Sequence, residues 1–339
     1  MANFTNSILT SAIWEASKEF QSLEERTQNY GAIKLMQNNN SSFPEVARLA
    51  SSGQKPLSIR LDNFTPTTAG TSISCSPTSV GGDSTDTALS WNTISNVVTV
   101  SQKRQNENSK TVEQQTKIDF KRAISGMHDA LETAIINFIN TNRSGYSIAV
   151  SGLSTWTSGG AANYNSIALA RIDRIRSSIK SEMTAAKYKG NINLLMSTPY
   201  DEYFGHTNIQ GIANATNMQD QMPGFSQFIT NQISTVSSTS GGIYAIPMGG
   251  VVMFIHVDPQ YLQKKSNKKV DFSSIKDPLF GFDIGMATFG DCADTTAING
   301  GVQDIVDITE FHFEYAFATP ALSSPSLETA IHKYALAST

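Results

Sequence analysis

The chain has 339 residues, 39% of them hydrophobic, which is enough for a sizeable core and argues against disorder throughout. Charged residues are only 16% of the chain, below the roughly 25% of ordinary soluble domains. The net charge of −4 argues against a dedicated nucleic-acid-binding protein, which is usually basic. Because surfaces that contact other copies avoid charge at their centres, this composition favours self-assembly, although secreted binding modules are often low in charge too.

The N-terminal region predicts an amphipathic helix over residues 7–25, with Ile8, Ile13 and Phe20 on one face. The stretch that follows, through residues 37–40, is polar and poorly periodic, so we expect an arm that lies on something other than its own body. No signal peptide and no membrane-spanning run is predicted. We therefore expect a protein made and kept in a reducing cytoplasm, with Cys75 and Cys292 as free thiols.

Residues 56–100 predict a long two-stranded excursion. Leu57, Ile59 and Leu61 alternate with polar residues, as in a half-buried strand, and residues 88–100 form the second strand candidate. The glycines at 81 and 82 mark a turn. Because the segment has little hydrophobic content and an isolated hairpin is marginal in water, we expect it to pack against a neighbouring molecule.

Two helices are predicted in mid-chain. The first spans residues 112–140, where apolar side chains recur every three or four positions: Phe120, Ile124, Met127, Leu131, Ile135 and Phe138. The second spans residues 165–187, with Ile175, Ile179 and Met183 in its apolar stripe, and Gly190 is its expected stop.

The remainder of the chain predicts mainly strands. They are a short buried strand at residues 193–196, followed by a helix over 197–204, then two strands within 243–257, an alternating segment from Phe280 to Met286, and another from Phe311 to Phe317. No internal repeat is visible.

A search for catalytic motifs gives no candidate. Phosphate-binding loops, dinucleotide fingerprints and nucleophile elbows are missing from the sequence, and the Ser151–Ser154 loop is expected to have no His or carboxylate nearby. The pairs His256 with Asp258 and His312 with Glu314 supply two ligands each, fewer than a metal site needs. We assign structural roles to both pairs.

The other polar candidates also favour structural interpretations. His128 is expected to be exposed or to cap the long helix, and His206 and His332 have no partner at ligand spacing. The acidic segment with Asp291, Cys292 and Asp294 is expected to be a polar turn. The basic cluster from Lys264 to Lys269 is interpreted as a solvated loop, with contact to phosphate or to an acidic partner as the alternative. We therefore predict no catalytic, cofactor-binding or metal-binding residues and no enzymatic activity.

Two segments carry a resemblance to a known family. The segment Gln114-Gln115-Thr116-Lys117-Ile118-Asp119-Phe120 enters a long helix after the β excursion, and Asn191-Ile192-Asn193-Leu194-Leu195-Met196-Ser197-Thr198-Pro199 joins a strand to a helix. Together with the order of the elements, they make the chain similar to the major capsid proteins of tailed bacteriophages. The resemblance spans nearly the whole chain and rests on architecture more than on any specific motif.

The resemblance implies an α+β chain of the Hong Kong 97-like fold. Its parts would be an N-terminal arm (1–54), an extended β-hairpin or E-loop (55–108), a peripheral domain with the spine helix (109–190), an axial domain (191–294), and returning peripheral strands with the C-terminus (295–339). The implied function is that of a subunit that assembles with itself into hexamers and pentamers of an icosahedral shell around double-stranded DNA. Scaffolding, portal and decoration proteins would be its partners, its DNA contact would be diffuse, and it would have no membrane partner. It would be made in the host bacterial cytoplasm and reside in the virion. Neither an N-terminal scaffolding extension nor the Lys–Asn cross-link of some members can be located in this sequence.

Other functions stay open at this point. A secreted or surface carbohydrate-binding module or adhesin would be expected to carry an export signal. A jelly-roll coat protein would consist mostly of short strands, unlike a chain with two long helices in its middle. A hydrolase would need residues that converge from separate parts of the fold.

Overall fold

A computed structural model describes residues 30–41, 55–62, 84–101, 112–158, 163–168, 170, 174–188, 190–200, 224–233, 242–258, 270–294, 303–320 and 329–336. The chain divides into two compact units. The first comprises residues 1–28, 91–131 and 254–316, and the second comprises 29–90, 132–253 and 317–339. Predicted elements and residues at 7–25, 81–82, 201–204, 206, 264–269 and Cys75 lie outside the described residues.

The helices within the described residues are α1 (Gly31–Asn40), α2 (Val112–Thr141) and α3 (Ile175–Ala185). The strands fall into three sheets. A two-stranded sheet holds β1 (Ser58–Asp62) and β2 (Ser84–Ala88). A five-stranded sheet holds β3 (Asn92–Ser101), β9 (Val252–His256), β10 (Asp271–Lys276), β11 (Asp283–Asp294) and β12 (Gln303–Ala318). A six-stranded sheet holds β4 (Thr155–Thr157), β5 (Tyr164–Ile167), β6 (Ile192–Ser197), β7 (Phe225–Thr230), β8 (Ile243–Pro247) and β13 (His332–Leu336).

The core of the first unit forms between α2 and the five-stranded sheet, whose order is β10-β11-β12-β3 with β9 also paired to β12. Phe120 on the helix meets Phe311 on β12 edge to face at 5.2 Å, and both rings are buried. Phe282 meets Phe313 in the same geometry. The alternation of aromatic residues along β12 places these rings on one face of the sheet, as the sequence predicts.

The core of the second unit lies between α3 and the six-stranded sheet, whose order is β4-β5-β13-β8-β6-β7. Ile175, Ile179 and Met183 on α3 are buried there, as their spacing predicts. Strand β6 is buried along its whole length, which agrees with its mostly apolar sequence.

The predicted long helix and several strands are confirmed. Helix α2 spans Val112–Thr141, against a prediction of 112–140. Strands β6, β8, β9 and β12 also lie where the sequence predicts them, and the described structure is of the mixed α+β class.

The predicted second helix is too long. Residues 164–167 form strand β5, and the helix begins only at Ile175. Strand β5 pairs in parallel with residues 334–336 and antiparallel with β4. This pairing with the distant C-terminal strand replaces the local helical preference. The helix also ends before Gly190, because Lys187 takes the left-handed conformation (φ 68°) and Tyr188 N–H donates to Met183 O.

Two further expectations are wrong. The acidic segment Asp291–Asp294 is not a turn: it is the end of β11 and pairs with residues 303–306. The predicted strand 88–100 is present as β3 (Asn92–Ser101), but it pairs with β12, whereas the partner of β1 is β2. Residues 58–62 and 84–88 of the predicted β excursion therefore pair with each other, and its last strand belongs to the five-stranded sheet.

The expectation that the arm lies off its own body is wrong for residues 30–41. Helix α1 occupies Gly31–Asn40, and Ile33, Leu35 and Met36 are fully buried in the chain itself. The polar run at residues 37–40 does not indicate a helix in the sequence, because the partners that bind its asparagines lie far away along the chain.

Candidate assembly surface

The two-stranded sheet is the first candidate surface. Strands β1 and β2 pair antiparallel from Ser58 opposite Ala88 to Asp62 opposite Ser84, and Leu89 N–H donates to Leu57 O at 2.9 Å. Within the described residues, neither strand pairs with any other strand. A hairpin of this length has little stability of its own in water.

The side chains of this hairpin divide between buried and exposed positions. Ile59 and Leu89 are 5% and 8% exposed, whereas Leu57 is 79% exposed. The sequence predicts Leu57 and Ile59 on the same buried face, so the exposure of Leu57 is a departure from that prediction. Arg60 lies opposite Asp86 in the register, and both residues are exposed. The hairpin thus presents a large apolar side chain next to a pair of opposite charges.

Strand β3 is the second candidate surface. Its ten residues, Asn92–Ser101, contain no charge and no proline, and Val97 is 51% exposed. The strand is tied to its own unit by Asn96, whose Nδ2 donates to Ala123 O at 3.0 Å and whose Oδ1 accepts from Val97 N–H at 2.9 Å. Neutral surface of this composition is typical of the centre of an interface.

The described histidines of the first unit each have a different contact. His128 is fully buried and bonds Asp277 through Nε2 at 2.5 Å, so the expectation of an exposed or capping residue is wrong. His256 packs edge to face against Trp91, and buried His312 has Nε2 3.3 Å from Asp258 O. Across the described parts of the chain, no three His, Cys, Asp or Glu side chains are grouped to hold a metal ion.

A buried carboxyl lies next to the serine loop, contrary to the expectation that no carboxylate is near it. Glu182 Oε1 accepts from Ser154 Oγ at 2.5 Å and from Val150 N–H at 3.0 Å. Burial raises the pKa of Glu182 above its usual range, and the hydroxyl of Tyr334 lies beside it. No sequence pattern predicts this contact, because Glu182 is 28 residues away from Ser154, on α3.

Two basic groups on β13 are also buried. Burial lowers the pKa of His332 to about 3, and His332 stacks edge to face with Tyr188. Burial, assisted by the nearby Arg143, lowers the pKa of Lys333 to about 8. The Lys333 ammonium lies 5.5 Å from the centre of the Tyr244 ring. These groups are part of the packing of the six-stranded sheet.

None of the described helices is both long enough and apolar enough to cross a membrane. No family model and no curated protein matches the chain.

The described residues have a mixed α+β fold, and several solved structures are similar to it at low identity. The chain is similar to a structure from Mycobacterium phage Che8 at 9% identity and a TM-score of 0.46, covering 85% of this chain and 87% of that chain. It is similar to the capsid structure of cyanophage P-SCSP1u at 9% identity and a TM-score of 0.46, covering 84% and 85%. It is also similar to the mature capsid of bacteriophage PhiM1 at 10% identity and a TM-score of 0.43, covering 83% and 82%. All three likenesses are distant ones.

Proposed function

We propose that this chain is the major capsid subunit of a tailed bacteriophage, a structural protein that assembles with copies of itself into an icosahedral shell around double-stranded DNA. The proposal is supported by the order of the elements, the low charge of the chain and the exposed apolar residues of the hairpin. It implies no catalytic step.

The β1–β2 hairpin is the observation that carries the proposal. It is a separate two-stranded sheet with Leu57 largely exposed. Fully burying a leucine side chain contributes about 1.5–3 kcal/mol. Association with a neighbouring subunit supplies that burial without any change in the hairpin itself. Loss of the exposed side chain should therefore weaken association and leave the fold of the subunit intact.

The parts of the Hong Kong 97-like fold would be distributed as follows. Residues 55–90 would be the portion of the E-loop that reaches a neighbour, since β3 pairs with β12. Helix α2 would be the spine helix, residues 191–294 the axial domain, and residues 295–339 the returning peripheral strands. Residues 1–54 would be the arm, with α1 as its docked part.

Partners follow from this role. The subunit would form hexamers and pentamers, meet scaffolding, portal and decoration proteins, and contact packaged DNA diffusely. The basic cluster from Lys264 to Lys269 is the segment to test for that DNA contact. Synthesis in the host cytoplasm and residence in the virion are part of the same proposal.

Imaging of the expressed protein tests the proposal. The chain is expressed alone and together with its neighbouring genes, then examined by negative stain. Shells, tubes or rings of capsomers are the expected result. A monodisperse monomer in every condition would contradict a capsid role.

Substitution of Leu57 locates the contact. Leu57→Asp places a charge where a neighbour would cover an apolar side chain, so we expect assembly to fall at least about tenfold, equivalent to about 1.4 kcal/mol. Asn137→Asp, at an exposed position of α2, is the matched control and should assemble as the unsubstituted chain does. Equal assembly of both variants would remove the hairpin from the interface.

A further inference from the structure

The N-terminal end of α1 is capped by a side chain from another helix. The backbone N–H groups of Ala32 and Ile33 donate to the two carboxylate oxygens of Glu132, each at 2.9 Å. Glu132 is fully buried, and the first turn of α1 contains no acidic residue of its own. The first N–H groups of a helix lack partners within the helix and carry partial positive charge, so a carboxylate is well suited to this place.

The same end of α1 lies in direct contact with strand β7. A Cβ atom on Gly31 would lie 2.2 Å from Ile229 O, so only glycine permits this approach. Tyr30 forms an isolated β-bridge to Thr230. The chain is therefore held to the sheet immediately before the helix begins.

The other end of α1 is held by amides. Asn38 Nδ2 donates to Asn193 Oδ1 at 3.0 Å, and Asn193 Nδ2 donates to Asn39 Oδ1 at 2.7 Å. Asn40 bonds the backbone of Met253 twice, donating from Nδ2 to Met253 O at 2.7 Å and accepting at Oδ1 from Met253 N–H at 2.9 Å. The Asn40 side-chain amide thus pairs with both the N–H and the C=O of Met253, as the backbone of a neighbouring strand would.

We propose that residues 30–40 stay bound to the rest of the second unit whenever that unit is folded, and we call this segment the fastener. The fastener joins α2, β6, β7 and the start of β9 through partners 99 to 213 residues away in sequence. It follows that the part of the arm that can be removed, or passed to another subunit, ends before Tyr30. This inference concerns the subunit alone and holds whether or not the subunit builds a shell.

The energetic reason lies in what release would expose. Detaching α1 would break the two hydrogen bonds that the buried Glu132 carboxylate accepts from Ala32 and Ile33, and hydrogen bonds to a charged group stabilise more than neutral ones. It would also uncover Ile33, Leu35 and Met36, all fully buried. The fastener should therefore open only when the unit unfolds.

Hydrogen exchange on the full-length chain tests this directly. We expect the amides of α1 that are bonded within the helix or to Glu132 to exchange as slowly as those of β6, because both would require the same unfolding event. Exchange of α1 at least about a hundredfold faster than that of β6 would overturn the proposal.

Substitutions in the full-length chain provide the second test. Glu132→Gln leaves one acceptor for two donors, and Asn40→Asp keeps the bond from Met253 N–H but loses the bond to Met253 O. We expect each to accelerate exchange in α1 at least about tenfold and to lower the unfolding midpoint by about 4 °C or more. Asn137→Ala, at an exposed position of α2, should change neither. If Glu132→Gln does not fold, the comparison of Asn40→Asp with the unsubstituted chain tests the proposal. An unchanged exchange rate of the α1 amides in Asn40→Asp would overturn it.

Discussion

Two ionisable side chains in the second unit, His332 and Glu182, make the stability of that unit depend on pH in opposite directions. Burial holds His332 in its neutral form and lowers its pKa from 6.5 to about 3. Burial favours the protonated form of Glu182 and raises its pKa from 4.5. Burial thus disfavours proton binding at His332 and favours it at Glu182.

His332 predicts sensitivity to acid. Its contribution is fully present above about pH 6.5 and is lost as the pH falls from there towards 3, since only the unfolded chain binds the proton readily. We expect the free energy of unfolding to fall by up to about 1.4 kcal/mol per pH unit in this window. The slope should be shallower in His332→Gln, measured by denaturant unfolding from pH 7 to 4. An unchanged slope would show that His332 is not the group that binds the proton.

Glu182 predicts the opposite dependence. Its contribution is fully present below about pH 4.5 and is lost as the pH rises towards its raised folded-state value. Glu182→Gln imitates the protonated acid and keeps an acceptor for Ser154 and Val150, so we expect no loss of stability at pH 7 and a smaller decline above pH 4.5. Glu182→Ala loses both bonds and should be less stable by about 2 kcal/mol below pH 4.5, with a smaller difference as the pH rises. A decline above pH 4.5 that is as steep in Glu182→Gln as in the unsubstituted chain would contradict the raised pKa of Glu182.

At the scale of the element, the turn between β10 and β11 is organised by one carboxylate. Asp277 Oδ1 accepts from the N–H groups of Leu279 and Phe280, and its Oδ2 bonds His128 on α2. Phe280 and Phe282 stack with their rings parallel and both meet His128 edge to face. The long helix and the hairpin therefore share one buried polar contact.

Asp277 can be tested by two substitutions. Asp277→Ala removes the acceptor of both turn amides and the partner of His128, and we expect a loss of about 3 kcal/mol or more in the free energy of unfolding. Asp277→Asn keeps the acceptor for the turn amides and loses the carboxylate, so its loss should be smaller. Thermal and denaturant unfolding measure both. Comparable losses of stability in the two variants would mean that the hydrogen bonds from the turn amides contribute little to the free energy of unfolding. The loss would then come mainly from removal of the Asp277 carboxylate.

Elements whose stability comes from a simple period were predictable from sequence. The stripe of α2 and the alternation of β12 each persist long enough to define a helix and a strand. Helix α1 was missed because its cap, Glu132, lies 99 and 100 residues away from the amides that it accepts. Strand β5 was missed because its parallel partner begins at residue 332. The burial of His128 depends on Asp277, 149 residues further along the chain.

At the scale of the whole molecule, the chain combines a low content of charged residues with a hairpin that exposes Leu57. The sequence predicts this hairpin but predicts it too long, because no sequence pattern indicates that β3 pairs with β12. It also expected the arm to lie off the body, whereas residues 30–40 are held to the body by specific bonds. Within the described residues, the hairpin and the arm therefore leave a shorter unpaired segment than the sequence predicts.

Particle mass at assembly concentration tests self-assembly most directly. The chain, expressed together with its neighbouring genes, is measured by sedimentation velocity beside Leu57→Asp and Asn137→Asp. We predict closed particles or capsomer rings for the unsubstituted chain and for Asn137→Asp, and small species of unchanged fold for Leu57→Asp. A chain that sediments as a folded monomer throughout, or a Leu57→Asp variant that assembles fully, would contradict the account.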